Sequence, residues 1–402
     1  MSEIKGMSEL NEGMTGAVNS RHLNFHGVGV DYFIVCLINL GLIIITGGIY
    51  AACALVRSKR YFYSNTELAG SRFAYHAKGS SVFISFLCLM VLILSLEFAI
   101  INQKTLPIIC LSAFLIFLLP YLICKSIRYQ MQSTTLNNVR FNFSAPIVKS
   151  WWVINGCPLL MMIAVVVLCG AILSSIDSAS LFVDVSGVIT TVVVAVVVGL
   201  LGMGIVQGVS YALWLNLLLN NLSFGKSHFT AVVSMKKCIT ICLVAILIPV
   251  PFVILFIKLA APAYLGLIMG GLSDPEFVEK FQSTILLCYA IYFVAAMLFY
   301  SYFYVTLRNY YYQTVVLDEK IYFRSTLTIF GFLWQSVSNI LLASCTLGIG
   351  YPWARVRFAC YLAQNTWVDG DLDSLNLEDH EDKIATDIVS RLSRGLVPNI
   401  NL

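Results

Sequence analysis

Residues 39–57 read NLGLIIITGGIYAACALVR, and residues 339–357 read NILLASCTLGIGYPWARVR. Aligned without a gap, Asn39 falls on Asn339, Leu42 on Leu342, Thr46 on Thr346, Gly48 on Gly348, Ile49 on Ile349 and Arg57 on Arg357. The first and last apolar elements therefore read as versions of one unit, and the chain as one built by internal repetition.

Between these two stretches lie long apolar blocks. The chain is 59% hydrophobic and 11% charged, whereas charged residues make up about a quarter of an ordinary soluble domain. Further blocks run at about 81–101, 106–124, 152–173, 185–206, 239–259 and 284–304, each near the ~20 residues that a membrane helix needs. The blocks are continuous rather than alternating, which favours helices over a β-barrel in lipid. The predicted fold is an all-α polytopic membrane protein with about six full transmembrane helices. Residues 1–21 read as a disordered segment, 22–368 as the transmembrane domain and 369–402 as an acidic, partly amphipathic cytoplasmic tail.

Basic residues alternate from one connection to the next. Residues 57–80, 125–150, 222–237 and 308–327 carry Lys and Arg, whereas 177–184 carries none. The positive-inside rule places the basic connections in the cytoplasm. Full single crossings by the first and last blocks would then put both termini outside, together with Arg355 and Arg357. Residues 32–46 span only about 22 Å as helix, short of a ~30 Å hydrocarbon core. A break at Gly47-Gly48, matched near Gly348 and Gly350, predicts two re-entrant helical hairpins and cytoplasmic termini. The competing reading is two ordinary spans with a glycine kink.

The basic connections also resemble one another. Arg60-Tyr61, Arg128-Tyr129 and Arg308 are each followed twelve residues on by Arg72, Arg140 and Lys320. Between them stand Ala69-Gly70, Asn137-Asn138 and Asp318-Glu319, dipeptides placed where two-residue hairpin turns require φ > 0. The loop at 220–230 is a weaker copy with Gly225 at its turn. Short cytoplasmic β-hairpins between repeated helix-pair units follow from this spacing, five units in all.

Candidate ligand or pathway residues are few. Asn39 and Asn339 are matched polar residues in apolar surroundings, next to Gly47, Gly48, Gly348 and Gly350. Their commoner role is hydrogen bonding between helices, at ~0.6 kcal/mol. Glu97 is the one acid well inside a block and a functional candidate by default, although Lys104 stands close enough in sequence to pair with it. The twelve cysteines form no CxxC and read as apolar filler. No zincin, Walker A or G-x-S-x-G motif occurs. The chain points to no catalytic residue, no metal, no cofactor and no nucleic acid, and an enzyme is unsupported. Membrane lipids and a homo-oligomer are the expected partners.

Several motifs together carry a resemblance. They are Leu23-Asn24-Phe25-His26-Gly27, Thr46-Gly47-Gly48-Ile49-Tyr50, Lys59-Arg60-Tyr61, Gly70-Ser71-Arg72-Phe73, Leu136-Asn137-Asn138-Val139-Arg140-Phe141, Ser223-Phe224-Gly225, Phe323-Arg324-Ser325-Thr326-Leu327-Thr328 and Gln364-Asn365-Thr366. From about residue 22 to 400 the chain resembles the YjgN family of bacterial inner-membrane proteins, a domain of unknown function. Ala52-Cys53 stands where that family's pattern leads us to expect Pro-Trp; Pro352-Trp353 keeps it. The resemblance implies a multi-pass inner-membrane protein and supplies no catalytic residue. From the residues themselves, the leading expectation is a transporter or channel-like protein for a small molecule or lipid. The alternative is a scaffold that recruits partners through its hairpins and tail.

Overall fold

The chain is described by a computed structural model over residues 20–176, 185–268 and 275–371. Strands β1 (Ser20–His22) and β2 (Asn24–Phe25) lead to helices α1 (Gly29–Ile45) and α2 (Ala51–Ser64). Then come β3 (Thr66–Leu68), β4 (Ser71–Tyr75), α3 (Gly79–Ile101) and α4 (Thr105–Gln132). β5 (Thr134–Leu136) and β6 (Val139–Phe143) precede α5 (Ile147–Trp151), a π-helical turn at Trp152–Gly156, α6 (Cys157–Leu173) and α7 (Val185–Leu219). β7 (Leu222–Phe224) and β8 (Ser227–Ala231) precede α8 (Met235–Leu247), α9 (Val250–Ile268) and α10 (Pro275–Thr314). The series closes with β9 (Val315–Leu317), β10 (Ile321–Ser325), α11 (Ile329–Cys345), α12 (Tyr351–Gln364) and β11 (Thr366–Asp369).

Among the described residues, six helical stretches are long and apolar enough to cross a membrane: Val82–Ile101, Thr105–Gln132, Ile147–Leu173, Ser186–Leu219, Met235–Ile268 and Pro275–Thr314. The fifth is interrupted at Ile248 and Pro249, where α8 gives way to α9, and proline has no N–H to continue the ladder. α1 and α11 are apolar but shorter. The acidic tail expected from residue 369 lies outside the described residues beyond Asp371.

The strands form one antiparallel sheet in the order β1-β11-β10-β9-β8-β7-β6-β5-β4-β3-β2. Only Leu23 separates β1 from β2, and its N–H donates to the Thr366 carbonyl at 3.1 Å. Residues 20–25 therefore pair with β11 through their first half and with β3 through their second. The two ends of the sheet are one continuous stretch of chain, so the sheet is closed and has no free edge. This differs from separate hairpins that merely link helix pairs. The strand starts at Ser20, slightly ahead of the expected boundary, and Asp369 belongs to the sheet rather than to the tail. Positive φ at Ala69 and Gly70, Asn137 and Asn138, Asp318 and Glu319, and Gly225 makes the turns between the strands. Strands β3 to β11 all contribute to one apolar cluster inside the closed sheet, and Leu23, between β1 and β2, packs against it. Leu68, Leu136, Phe224, Leu317, Ile321 and Val368 are buried in it, with Leu23, Phe73, Phe141, Phe229 and Phe323 packed against them.

The helices follow the sheet around. α2 packs on α3, α4 on α5, α7 on α8 and α10 on α11, and α12 returns to pack on α1. At that seam, Gly29 has no room for a Cβ against the Trp353 indole, whose ring lies 5.0 Å from Phe33. The two stretches aligned at the outset are thus neighbours across the closure.

One contact recurs where helix meets sheet. The first N–H groups of a helix have no partner within it. At Val28, before α1, the N–H donates to the Tyr61 hydroxyl at 2.9 Å. At Lys78, before α3, it donates to Tyr129 at 3.2 Å. At Ser234, before α8, it donates to Tyr310 at 2.6 Å. The Tyr361 hydroxyl bonds the backbone of Thr328 before α11. Each tyrosine stands five residues before the strand that follows its helix. In the remaining place Leu217 occupies that position, and the residue before α5 is Pro146. Proline has no N–H to satisfy, so no hydroxyl is needed there.

Candidate functional site

The ring of helices has a high side and a low side. Every leading helix begins four residues after its strand: Phe25 to Gly29, Tyr75 to Gly79, Phe143 to Ile147, Ala231 to Met235 and Ser325 to Ile329. From this common level α1 and α11 run for 17 residues, whereas Met235–Ile268 runs for 34. At 1.5 Å per residue these are about 25 Å and about 50 Å. The two short helix pairs are adjacent, so the wall is low over one continuous part of its circumference.

The chain reverses at the top of each low pair through a five-residue turn. Thr46 Oγ1 donates to the Leu42 carbonyl at 2.7 Å and accepts from the Tyr50 N–H at 3.0 Å. Thr346 Oγ1 does the same with Leu342 at 2.6 Å and Gly350 at 2.7 Å. Gly47 and Gly48 have φ 58° and 93°, Leu347 and Gly348 φ 51° and 90°. A glycine is the natural occupant of this region; Leu347 holds it at a steric cost. Gly350 has no space for a Cβ, with Thr346 Oγ1 and the Leu342 carbonyl in the way.

The matched asparagines differ in role. Asn39 is buried and donates from Nδ2 to the Ala54 carbonyl at 3.4 Å, tying α1 to α2, while its Oδ1 has no partner. Asn339 is half-buried and accepts at Oδ1 from Gln335 Nε2 on its own helix at 3.5 Å. Glu97 is exposed near the end of α3 and makes no ion pair with Lys104; the two stay apart on either side of the turn. The structure brings the two glycine-broken turns into neighbouring helix pairs but does not join Glu97 to either asparagine.

The high wall is one helix thick. α7 meets α6 where Gly202 approaches Val165, and α8 where Gly208 lies against the Ile239 backbone. With 3.6 residues per turn, those two contacts lie about 120° apart around the helix. Between them Val192, Val196, Leu200 and Met203 are exposed on one flank, and Val194, Leu201 and Ile205 on the other. Both flanks are apolar and have the same solvent preference.

Below the wall, polar side chains secure the junction with the sheet. Arg308 is 3% exposed and donates to the hydroxyls of Tyr304, Tyr312 and Thr366 at 3.1, 3.2 and 2.9 Å. Its guanidinium also lies 4.7 Å from the Tyr312 ring centre. No carboxylate pairs with it among the described residues; hydroxyls and a π-face replace the counter-charge. Lys59 donates to Gln130 Oε1 at 3.3 Å, and burial holds its ammonium below the usual lysine range. Arg60, Asn216 and Asn309 donate to the carbonyls of Ala77, Val233 and Leu327, each just past a strand. The sequence reading missed this layer. Its signal was the constant distance from each tyrosine to the following strand, hidden among many aromatic residues near block ends. No group of three or more metal-ligating side chains occurs among the described residues.

Residues 20–389 match the family described as bacterial protein of unknown function (DUF898). The chain is 33% identical over 397 residues to the inner membrane protein YjgN of Salmonella typhimurium strain LT2, covering 97% of this chain and 99% of the relative. It is 32% identical over 394 residues to the protein of the same name from Escherichia coli strain K12, covering 95% and 97%. No solved structure matches it.

Proposed function

The chain belongs to the DUF898 family of bacterial inner-membrane proteins, and from that premise we propose that it is a conduit for lipids or other apolar molecules, open sideways to the bilayer. The observation that carries this reading is the low side of the helix ring, beside walls that are apolar on both flanks. An acyl chain enters such a space without desolvating a polar group, whereas an ion finds no replacement for its hydration shell. The packed apolar interior of the sheet argues against an aqueous exit along the axis.

In this reading the sheet faces the cytoplasm, five strand–helix pair–strand units repeat around the ring, and α1–α2 and α11–α12 re-enter without crossing. Support comes from the basic residues near the sheet and from helix pairs that leave the sheet and return to it. Asn39, Gly47, Gly48, Asn339, Gly348 and Gly350 then border the low side, and Glu97 stands near the far rim.

The test is reconstitution into vesicles carrying a fluorescent phospholipid in both leaflets, quenched from outside. Loss of fluorescence beyond the outer-leaflet fraction, above protein-free vesicles, is expected. No excess across phosphatidylglycerol, phosphatidylethanolamine and small apolar solutes would sink the proposal. Cysteines introduced at Ser20 and Ser71 in a cysteine-free background are expected to label from the cytoplasmic side alone.

A second reading, a platform for a partner protein, draws on the outer surface of the sheet, where the Arg72 and Arg324 side chains are 59% and 51% exposed. It predicts a co-purifying partner that is lost when both arginines become glutamate, with vesicle flux absent.

A further inference from the structure

A cleft of about 670 Å³ opens between the start of α8, the last turns of α10 and the start of α11. Lys236, Lys237, Thr240, Gln313 and Thr328 line its polar part. Ile241, Val305, Leu327 and Ile329 line the rest. No acidic side chain borders it, and neither lysine has a carboxylate partner among the described residues. Lys237 Nζ rests 5.4 Å from the Tyr310 ring centre, and both lysines are exposed.

We propose that this cleft binds the phosphate of an anionic phospholipid, with the start of an acyl chain along its apolar wall. Three features converge. Two lysines on the first turn of α8 line one opening, which favours a phosphate. The cleft is amphipathic, with donors and aliphatic side chains in one cavity; a soluble phosphate would use only the donors. Its depth in the molecule fits too. α8 begins four residues beyond β8 and continues into an apolar stretch, so the lysines stand at the foot of a span, the level of lipid headgroups. A lipid seated here would bridge α8 and α10 to α11, stiffening the boundary between the high wall and the low one. Binding of this kind is independent of whether lipids also pass through the ring.

The test uses the full chain purified in a neutral detergent. Phosphatidylglycerol or phosphatidylcholine is added in mixed micelles, with binding followed by native mass spectrometry and by the thermal midpoint. The wild type is expected to retain phosphatidylglycerol preferentially and to gain thermal stability from it. The Lys236→Gln/Lys237→Gln variant is expected to lose about thirtyfold in affinity with an unchanged midpoint in detergent alone. The charge-matched Lys125→Gln/Lys149→Gln variant is expected to keep the wild-type preference. Equal lipid preference in wild type and the first variant would overturn the site, as would an equal loss in the second. An equal shift from inorganic phosphate would assign the cleft to a free anion and overturn the lipid.

Discussion

The sheet end and the far end of the same helices obey different rules. At the sheet, Phe143 and Ile321 are 1% and 0% exposed, tyrosine hydroxyls meet the helix starts, and Arg308 is held by three hydroxyls. At the far end Phe98 and Ile101 are 70% and 78% exposed, and α7 touches its neighbours along two narrow lines. The sheet end is specified by its own contacts. The far end is apolar all round and relies on lipid for the rest of its environment. The difference teaches where a substitution acts on stability and where it acts on what the ring contains.

The largest contrast is expected between two phenylalanines. Phe143→Ala lowers stability by about 3–5 kcal/mol, read as the thermal midpoint in detergent. Phe98→Ala leaves that midpoint within about 0.5 kcal/mol. Similar losses at both positions would break the distinction. Next, Arg308→Ala removes three charge-assisted bonds, two within α10 and one from α10 to Thr366 on β11, and is expected to cost about 2–4 kcal/mol, with hydrogen exchange rising first at 366–369.

The tyrosine caps sharpen the comparison within the sheet end. Tyr129→Phe and Tyr310→Phe are each expected to cost about 1 kcal/mol. Leu217→Tyr gains nothing, because Pro146 presents no N–H. A stabilising Leu217→Tyr would refute the capping account. The smallest effect concerns Lys59. Burial lowers its pKa, so the unfolded chain holds that proton to higher pH than the folded one. The unfavourable contribution is fully present below the depressed value and fades as pH rises from there toward the ordinary ~10.4. Lys59→Met is therefore expected to raise the midpoint slightly at pH 7, with the advantage vanishing in alkali.

Much of the local structure was legible because its causes are local. The break at Gly47-Gly48 stands where two glycines interrupt an apolar run, and both adopt positive φ. Ala69-Gly70 and Asn137-Asn138 take the backbone geometry that a twelve-residue spacing demanded. Other features were not legible. Glu97 and Lys104 stand on either side of a tight turn, with Gln103 at φ 52°, and are not paired, so of the two ordinary roles open to Glu97 the ion pair is not the one adopted. The cleft at Lys236 draws on α8, α10 and α11, which no local pattern connects. The matched asparagines diverge because Asn39 faces a carbonyl of the partnering helix whereas Asn339 faces Gln335.

The sequence by itself determined the helical, membrane-embedded class, the apolar stretches, the turns and the likeness of the first and last helix pairs, because hydrophobic length and backbone preference act within a few residues. Only the tertiary structure decided that the chain closes. Ser20 pairs with Asp369, and nothing within either segment encodes that distance. Closure is selected because an open sheet would leave two edges of unpaired N–H and C=O groups, and joining the first strand to the last removes both. The same joining sets the two short helix pairs side by side and gives the ring its low side.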